Sequence, residues 1–242
     1  MVRINRYLAQ CGLGSRRQVE KLILAGEIKI NGKKVEDLSI QIDPVHDQVQ
    51  YQAHIIQPDR KKIYIMLNKP VDYIVSTRDD FSRKTIYELL PSLATHCFPV
   101  GRLDLNSEGL LLLTNDGDFA NSMLHPRFKI SKLYKVIVKG EINQEQLQKL
   151  RSGITLGGIM TQPARVHIKT RSTGKTVLRM SIQEGRKRQI REMFRAVGSQ
   201  VMSLRRLQIG NLKLGDLPAG RWRYLTKEEV HKLKRQAEGE NQ

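Results

Sequence analysis

The amino-acid sequence predicts an α+β protein: a small helix-pair-plus-hairpin module, then a larger domain built on a largely antiparallel mixed sheet. Three observations carry this. Apolar residues recur twice at helical spacing near the start and are followed by an Asn-Gly pair between alternating residues. From Ile63 onward several runs alternate apolar and polar side chains without regular intervening helices, which argues against a doubly wound parallel sheet. At 242 residues the chain has room for one medium domain and one small one.

Ile4, Leu8 and Cys11 mark a first helix that Gly12 and Gly14 break. Ser15 caps a second, with Gln18 reaching back in a capping box and Val19, Leu22 and Ile23 forming its apolar stripe before Gly26. Ile28 and Ile30 alternate with polar residues, Asn31-Gly32 supplies the positive φ angles of a tight turn, and Val35 returns on the other side. The polar stretch Pro58 to Lys62 places a linker near residues 52–61. Beyond it, Ile63, Ile65 and Leu67 read as a strand ended by Pro70, and Thr85 caps a short helix stopped by Pro91. Leu110 to Leu113 reads as a buried strand that ends at the turn Asn115-Asp116-Gly117-Asp118. Further strands are expected around Tyr134–Val138, Ala164–Ile168 and Val177–Ile182, and helices at 144–151, 189–197 and from a Thr226/Glu229 capping box onward.

Composition narrows the function. Apolar residues make up 39% and charged residues 27%, so the chain is an ordinary globular one rather than disordered or collagen-like. No run approaches the ~18 apolar residues of a membrane span, and the amino terminus lacks the apolar stretch of a secretory signal. Cys11 and Cys97 lie far apart without metal-ligand spacing, which fits a reducing cytoplasm and supports neither a disulfide framework nor a zinc site. The six histidines are scattered, and the Asn115–Asp118 segment lacks the bidentate Glu of a calcium loop. Phosphate-cradling and dinucleotide-binding glycine motifs are absent.

Charge is the informative quantity. Lys and Arg total 42 against 24 Asp and Glu, a formal +18, which points to a polyanionic partner. The excess is clustered: residues 3–34 carry eight basic and two acidic side chains, whereas residues 35–59 carry five acidic and no basic ones. With one Trp and no basic amphipathic helix backed by aromatic residues, nucleic acid is favoured over a membrane surface. In the first module Arg3, Arg6, Arg16, Arg17, Lys21, Lys33 and Lys34, with Lys29, would grip phosphates by shape and charge without reading bases. A second cluster, residues 184–206, holds seven basic and two acidic side chains. Between these lies Gly101-Arg102-Leu103-Asp104-Leu105-Asn106-Ser107-Glu108-Gly109-Leu110. A lone Asp kept ionised by a neighbouring guanidinium is a competent nucleophile. Read from the residues alone, Asp104 is more often an ordinary loop or capping Asp, and Tyr134 a core residue of its strand.

The stretch Ile4 to Ala9, Gly14-Ser15-Arg16-Arg17, Gly26-Glu27-Ile28 and Ile30-Asn31-Gly32-Lys33 resembles the RNA-binding module shared with the fourth small-subunit ribosomal protein, over residues 2–49. Further on, Asn68-Lys69-Pro70, Gly101-Arg102-Leu103-Asp104, Thr114-Asn115-Asp116-Gly117, His125-Pro126, Lys132-x-Tyr134, Glu184-Gly185-Arg186-x-Arg188-Gln189-Ile190-Arg191 and Leu204 to Gly210 follow one another in order. Together they resemble the bacterial ribosomal-RNA pseudouridine synthases of the RsuA-type family. The resemblance implies an RNA-binding domain over residues 1–51 and a pseudouridine-synthase domain over 62–238. It implies isomerisation of a uridine in ribosomal RNA without a cofactor; the residues themselves imply no metal, a cytoplasmic location is expected from the cysteines, and a monomer is the default expectation. By it, Asp104 is the nucleophile, attacking either the ribose anomeric carbon or carbon 6 of uracil. Arg191 keeps its carboxylate charged, and Tyr134 packs on the base and helps remove the carbon 5 proton. Leu204 walls the uracil pocket, with Leu207 and Ile209 as neighbouring alternatives, while Arg102, Lys187 and Arg188 touch phosphates or the surroundings of Asp104. The runs Leu110 to Gly117 and Glu184-Gly185-Arg186 lean towards large-subunit RNA, in the free state or within a pre-ribosomal particle. The competing readings are a catalytically silent RNA-binding or ribosome-assembly factor and, without a recognition helix to support it, a DNA-binding regulator.

Overall fold

The computed structural model describes residues 1–58, 61–76 and 81–239. Asp59 and Arg60, within the expected linker, lie outside the described residues. Contacts divide the chain into two units, Met1–Lys62 with Asn115–Gly117, and Ile63–Thr114 with Asp118–Gln242.

In the first unit, β1 (Val2–Arg3) runs into α1 (Ile4–Gln10) and α2 (Arg16–Leu24). These are followed by β2 (Ile28–Ile30), β3 (Lys33–Val35), β4 (Gln41–Ile42), β5 (Val49–Tyr51) and β6 (His54–Ile55). The Ser15 amide donates to Gln18 Oε1 at 2.7 Å and the Gln18 amide to Ser15 Oγ at 3.4 Å, so the expected capping box forms and satisfies two amides the helix cannot. Asn31 (φ 50°) and Gly32 (φ 80°) make the expected hairpin turn. The sheet order is β3-β2-β5-β6, and Ile4, Tyr7, Leu8, Val19, Ile23, Ile28, Ile42 and Val49 form the core. One difference concerns the linker. His54–Ile55 pairs with β5 after a turn in which Gln52 (φ 47°) and Ala53 (φ 64°) are left-handed. No glycine announces that turn, so the sequence pattern hides it.

The second unit begins with β7 (Tyr64–Lys69), then 3₁₀ turns at Ile86–Leu89 and Ser92–His96, β8 (Phe98–Val100) and β9 (Glu108–Thr114). It continues through α3 (Gly117–Leu124), β10 (Lys132–Lys139), α4 (Gln144–Ser152), the hairpin of β11 (Thr155–Leu156) and β12 (Ile159–Met160), β13 (Arg165–Ser172) and β14 (Lys175–Ile182). It ends with α5 (Gln189–Ala196), β15 (Val201–Ile209), β16 (Leu212–Lys213), β17 (Trp222–Tyr224) and α6 (Lys227–Glu238). Strands run β13-β14-β10-β15-β9-β7-β17, with β16 on β15 and β8 on β9. Every pair is antiparallel except β15 on β9, so the α+β, largely antiparallel expectation holds.

Both faces of this sheet are covered at β9, which is why Leu110–Leu113 is continuously apolar rather than alternating. Leu111 and Leu113 join Ile65, Leu67, Val136 and Leu178 under α4 and α5 (Leu147, Leu150, Met193, Phe194). Leu110 and Leu112 join Met66 under α3 and α6 (Phe119, Met123, Leu233). Helix α3 was not expected: Asn115-Asp116-Gly117 reads as a turn, yet Gly117 starts the helix whose Phe119, Ala120 and Met123 are buried. At Gly109 (φ 103°) a Cβ would collide with the Arg206 backbone. A glycine there is what lets β9 lie parallel to β15 immediately after the Asp104 loop. Among the described residues no helix is long and apolar enough to cross a membrane.

Candidate active site

Residues 101–107 form the loop between β8 and β9, and Asp104 sits half-buried within it. The loop is held from beneath by Lys69, the last residue of β7, whose side chain is completely buried. Lys69 Nζ donates to the carbonyls of Ser107 at 2.8 Å, Pro70 at 2.9 Å, Asp104 at 3.2 Å and Leu105 at 3.4 Å. The Ser107 amide closes a turn on the Asp104 carbonyl at 3.0 Å, and the Asp72 amide bonds Leu105 at 3.0 Å. Burial pushes the Lys69 ammonium down to about 8, while the carboxylates of Asp104, Asp72 and Glu108 pull the other way. Backbone carbonyls, not a paired carboxylate, therefore hold this cation, and the side chain of Asp104 is left to face outward.

It faces a cavity of about 280 Å³, near the lower end of ligand sites at ~300–1,000 Å³. Asp104, Tyr134, Leu204, Arg102, Lys187 and Arg188 all line it. Tyr134 (7% exposed) and Leu204 (6% exposed) come from adjacent strands, β10 and β15, on the face that packs against α5. With Ile182 and Ile190 they make an apolar wall. Of the two neighbouring alternatives to Leu204, Ile209 packs in the cluster on the opposite sheet face, and Leu207 does not line the cavity. Arg102, Lys187 and Arg188 are exposed at the rim. Arg102, Lys187 and Asp104 also border a second depression of about 410 Å³ beside Phe81 and Arg83.

Arg191, in the first turn of α5, bonds the carbonyls of Asn106 at 2.7 Å and Val201 at 3.2 Å, tying the helix to the Asp104 loop. Burial and Arg188 both disfavour its charged form, and the Asp104 carboxylate opposes them. The two groups thus feel each other's charge, although no ion pair within 4.0 Å joins them in this structure. The rim segment before α5 is itself fixed. Glu184 accepts from Gln189 Nε2 at 2.6 Å and from the Gln162 amide at 2.9 Å, and Arg186 reaches the carbonyls of Ile159 and Met160 at 3.0 and 2.7 Å. Arg188 (φ 55°) takes the left-handed conformation that turns the chain into the helix.

Three cavity or loop residues, Lys69, Lys132 and Arg206, stood in the ordered motifs but were given no role by the sequence reading. Lys69 and Arg206 are charged residues in strands, which ordinarily point to solvent. Lys132 and Arg206 also line the cavity. The available signal was strand alternation: Lys132 lies two residues before Tyr134 and Arg206 two after Leu204, so each shares a face with a site residue.

In the first unit, Arg3, Arg6, Arg16, Arg17, Lys21, Lys29, Lys33 and Lys34 are all exposed. Arg16 reaches Asn5 Oδ1 at 3.4 Å, Lys34 pairs with Glu36 at 3.2 Å, and Arg3 bonds the Leu38 carbonyl at 3.4 Å.

Comparison with known proteins identifies the family. The family model for RNA pseudouridylate synthase matches residues 63–196, and that for the S4 domain matches residues 2–49. An uncharacterized RNA pseudouridine synthase of Aquifex aeolicus is 42% identical over 96% of this chain and 93% of its own length. The ribosomal large subunit pseudouridine synthase B of Bacillus subtilis is 37% identical over 97% of this chain and 96% of its own length. A crystal structure of a pseudouridylate synthase superposes with a TM-score of 0.70 at 31% identity, covering 96% of this chain and all of that one. The chain belongs to the RNA pseudouridylate synthase family, in the RsuA-type group that carries an S4 RNA-binding domain, and it isomerises uridine to pseudouridine.

Proposed function

We propose that this enzyme modifies one uridine of large-subunit ribosomal RNA, with Asp104 as the nucleophile. The observation that carries this reading is the single cavity bordered by a half-buried carboxylate, an aromatic ring, an apolar wall and a rim of exposed cations. A uracil ring needs the apolar wall, the flanking phosphates need the rim, and the isomerisation needs a nucleophile between them. Large-subunit RNA is favoured by the end-to-end match to a relative named for that activity.

The reaction breaks the C1′–N1 bond, turns the base and rejoins it through C5, with C5 losing a proton and N1 gaining one. No electrons are exchanged with another molecule. Asp104 attacks C1′ or C6. Arg191 fixes the loop through Asn106 and sets a positive charge near the Asp104 carboxylate. Tyr134 packs on the ring and helps remove the C5 proton, and Leu204 closes the pocket. Arg102, Lys187 and Arg188 hold the phosphates beside the target.

A base within structured RNA must leave its stack first, at a cost of ~a few kcal/mol. Phosphate contacts from the rim and from a docking domain over residues 1–51 offset it, and the domain over 62–238 carries out the chemistry. The enzyme works as a cytoplasmic monomer on free RNA or a pre-ribosomal particle.

The test is release of tritium from C5-labelled uridine in transcripts of each ribosomal RNA, with Asp104→Asn in parallel. Release from the large-subunit transcript by wild type alone supports the reading. Release from the small-subunit transcript overturns the substrate, and release by Asp104→Asn overturns the nucleophile.

A further inference from the structure

Two buried cations at the inner end of the cavity have no role in the account above. Among the described residues the Lys132 side chain (8% exposed) bonds only the Ile130 carbonyl, at 3.1 Å, and Arg206 is 3% exposed. Arg206 Nε donates to the Leu110 carbonyl at 2.6 Å and Nη1 lies 3.5 Å from the Tyr134 hydroxyl, but Nη2 is buried without a partner. Both residues line the cavity that Asp104 borders, and Arg206 is the cross-strand neighbour of Tyr134. Neither makes an ion pair with any described carboxylate. A buried cation is costly unless it meets opposite charge, and here two of them face the same space. Burial and Arg206 together push the Lys132 ammonium down to about 8, as expected for like charges close together. The exposed rim cations suit phosphate, whereas a pair this far inside suits the base.

We propose that Lys132 and Arg206 are catalytic residues that donate to O4 of the target uracil and stabilise the negative charge it acquires during isomerisation. This rests on the cavity being the Asp104 active site. If the carboxylate bonds C1′ as C1′–N1 breaks, the electron pair left on the base spreads over N1, O2 and O4. If it bonds C6 instead, the C5=C6 pair moves through C4 onto O4. When C5 later gives up its proton, the released pair is again shared with O4. O4 is therefore the atom that carries charge on either route, and preorganised donors aimed at developing charge are strong catalytic elements. The same pair rejects cytosine, whose position 4 bears an amino donor rather than an acceptor.

The experiment compares single-turnover rates on RNA carrying uridine, 4-thiouridine or 2-thiouridine at the target, for wild type, Arg206→Met, Arg206→Lys and Lys132→Gln. Sulfur is a poor acceptor, so the wild-type rate should drop on 4-thiouridine. That uridine-to-4-thiouridine ratio should shrink at least tenfold in Arg206→Met and Lys132→Gln, and recover in part in Arg206→Lys. The intrinsic reactivity of the thiobase cancels when ratios are compared between variants. The corresponding ratio for 2-thiouridine should stay within twofold. A merely structural role would slow all three substrates alike and leave the ratios unchanged, which would overturn the proposal, and so would a loss confined to 2-thiouridine. Lys132→Gln breaks no inter-strand bond and carries the comparison alone should Arg206→Met fail to fold. Asp104→Asn, run alongside, separates the two claims: activity in that variant removes the nucleophile, whereas its inactivity with unchanged ratios removes only the O4 donors.

Discussion

Replacing Lys69 with Met tests how the Asp104 loop is held. The ammonium gathers four carbonyls of two segments, and the two shortest contacts, to Ser107 at 2.8 Å and Pro70 at 2.9 Å, dominate. Each buried acceptor stripped of its partner costs about 1–3 kcal/mol. Two such losses bracket roughly 2–6 kcal/mol, and water reaching the half-exposed loop brings the expected figure to about 2–4 kcal/mol. For a domain of this size each kcal/mol lowers the melting temperature by about 2–4 °C, so Lys69→Met should melt roughly 4–16 °C lower. With Asp104 as the proposed nucleophile, a shift of its loop by about 1 Å can cost on the order of 10²-fold in rate. Thermal melting followed by circular dichroism, with single-turnover tritium release below the transition, reads both effects. A variant that melts within a degree of wild type and turns over within twofold of it would refute the claim that Lys69 holds this loop.

Gly109→Ala should abolish activity and lower the melting temperature, because its φ of 103° is disfavoured for an L side chain and the new Cβ meets the Arg206 backbone; a soluble, active Gly109→Ala would show the β9–β15 approach to be looser than described. Activity should fall as pH rises through about 8, where Lys69 and Lys132 lose their protons. Because both lysines titrate from 10.5 in the unfolded chain, folding should grow more favourable from about pH 8 to 10.5 while turnover declines, and Lys132→Arg should move the alkaline limb of the rate profile upward. Substituting Arg16, Arg17 and Lys21 by Gln should weaken RNA binding and flatten its salt dependence by about 0.7 in slope per lost phosphate contact on single strands, with the single-turnover rate at saturating enzyme unchanged. Filter-binding titrations across a salt series check this, and an unaltered slope would remove those residues from the docking surface.

How much could be read in advance follows from which interactions are local. The Ser15/Gln18 and Thr226/Glu229 boxes and the Asn31-Gly32 turn are settled by side chains within four residues of each other, and all three form. The alternation of Tyr134, Val136 and Val138 survives because one face of β10 packs on a core while Lys135 and Lys139 stay in water. Helix α3 was hidden because its apolar residues begin straight after a sequence that fits a turn equally well. The roles of Lys69 and Arg206 were hidden for a different reason. Their burial depends on carbonyls 35 to 38 residues and 96 residues away, which no local pattern reports. Asp104 is the extreme case: nothing in its own spacing distinguishes it from a loop Asp, and only the ordered set of motifs around it singled it out. The gap between Asp104 and Arg191 was equally unreadable, since the guanidinium spends its donors on Asn106 and Val201.

The most direct test of the central claim is the pair of quantities measured on Asp104→Asn, an isosteric change that removes the negative charge and leaves Lys69's backbone contacts in place. RNA affinity by filter binding should equal that of wild type, and single-turnover tritium release from the large-subunit transcript should vanish. Release at a rate within tenfold of wild type, with affinity retained, would show that the carboxylate of Asp104 is not the nucleophile.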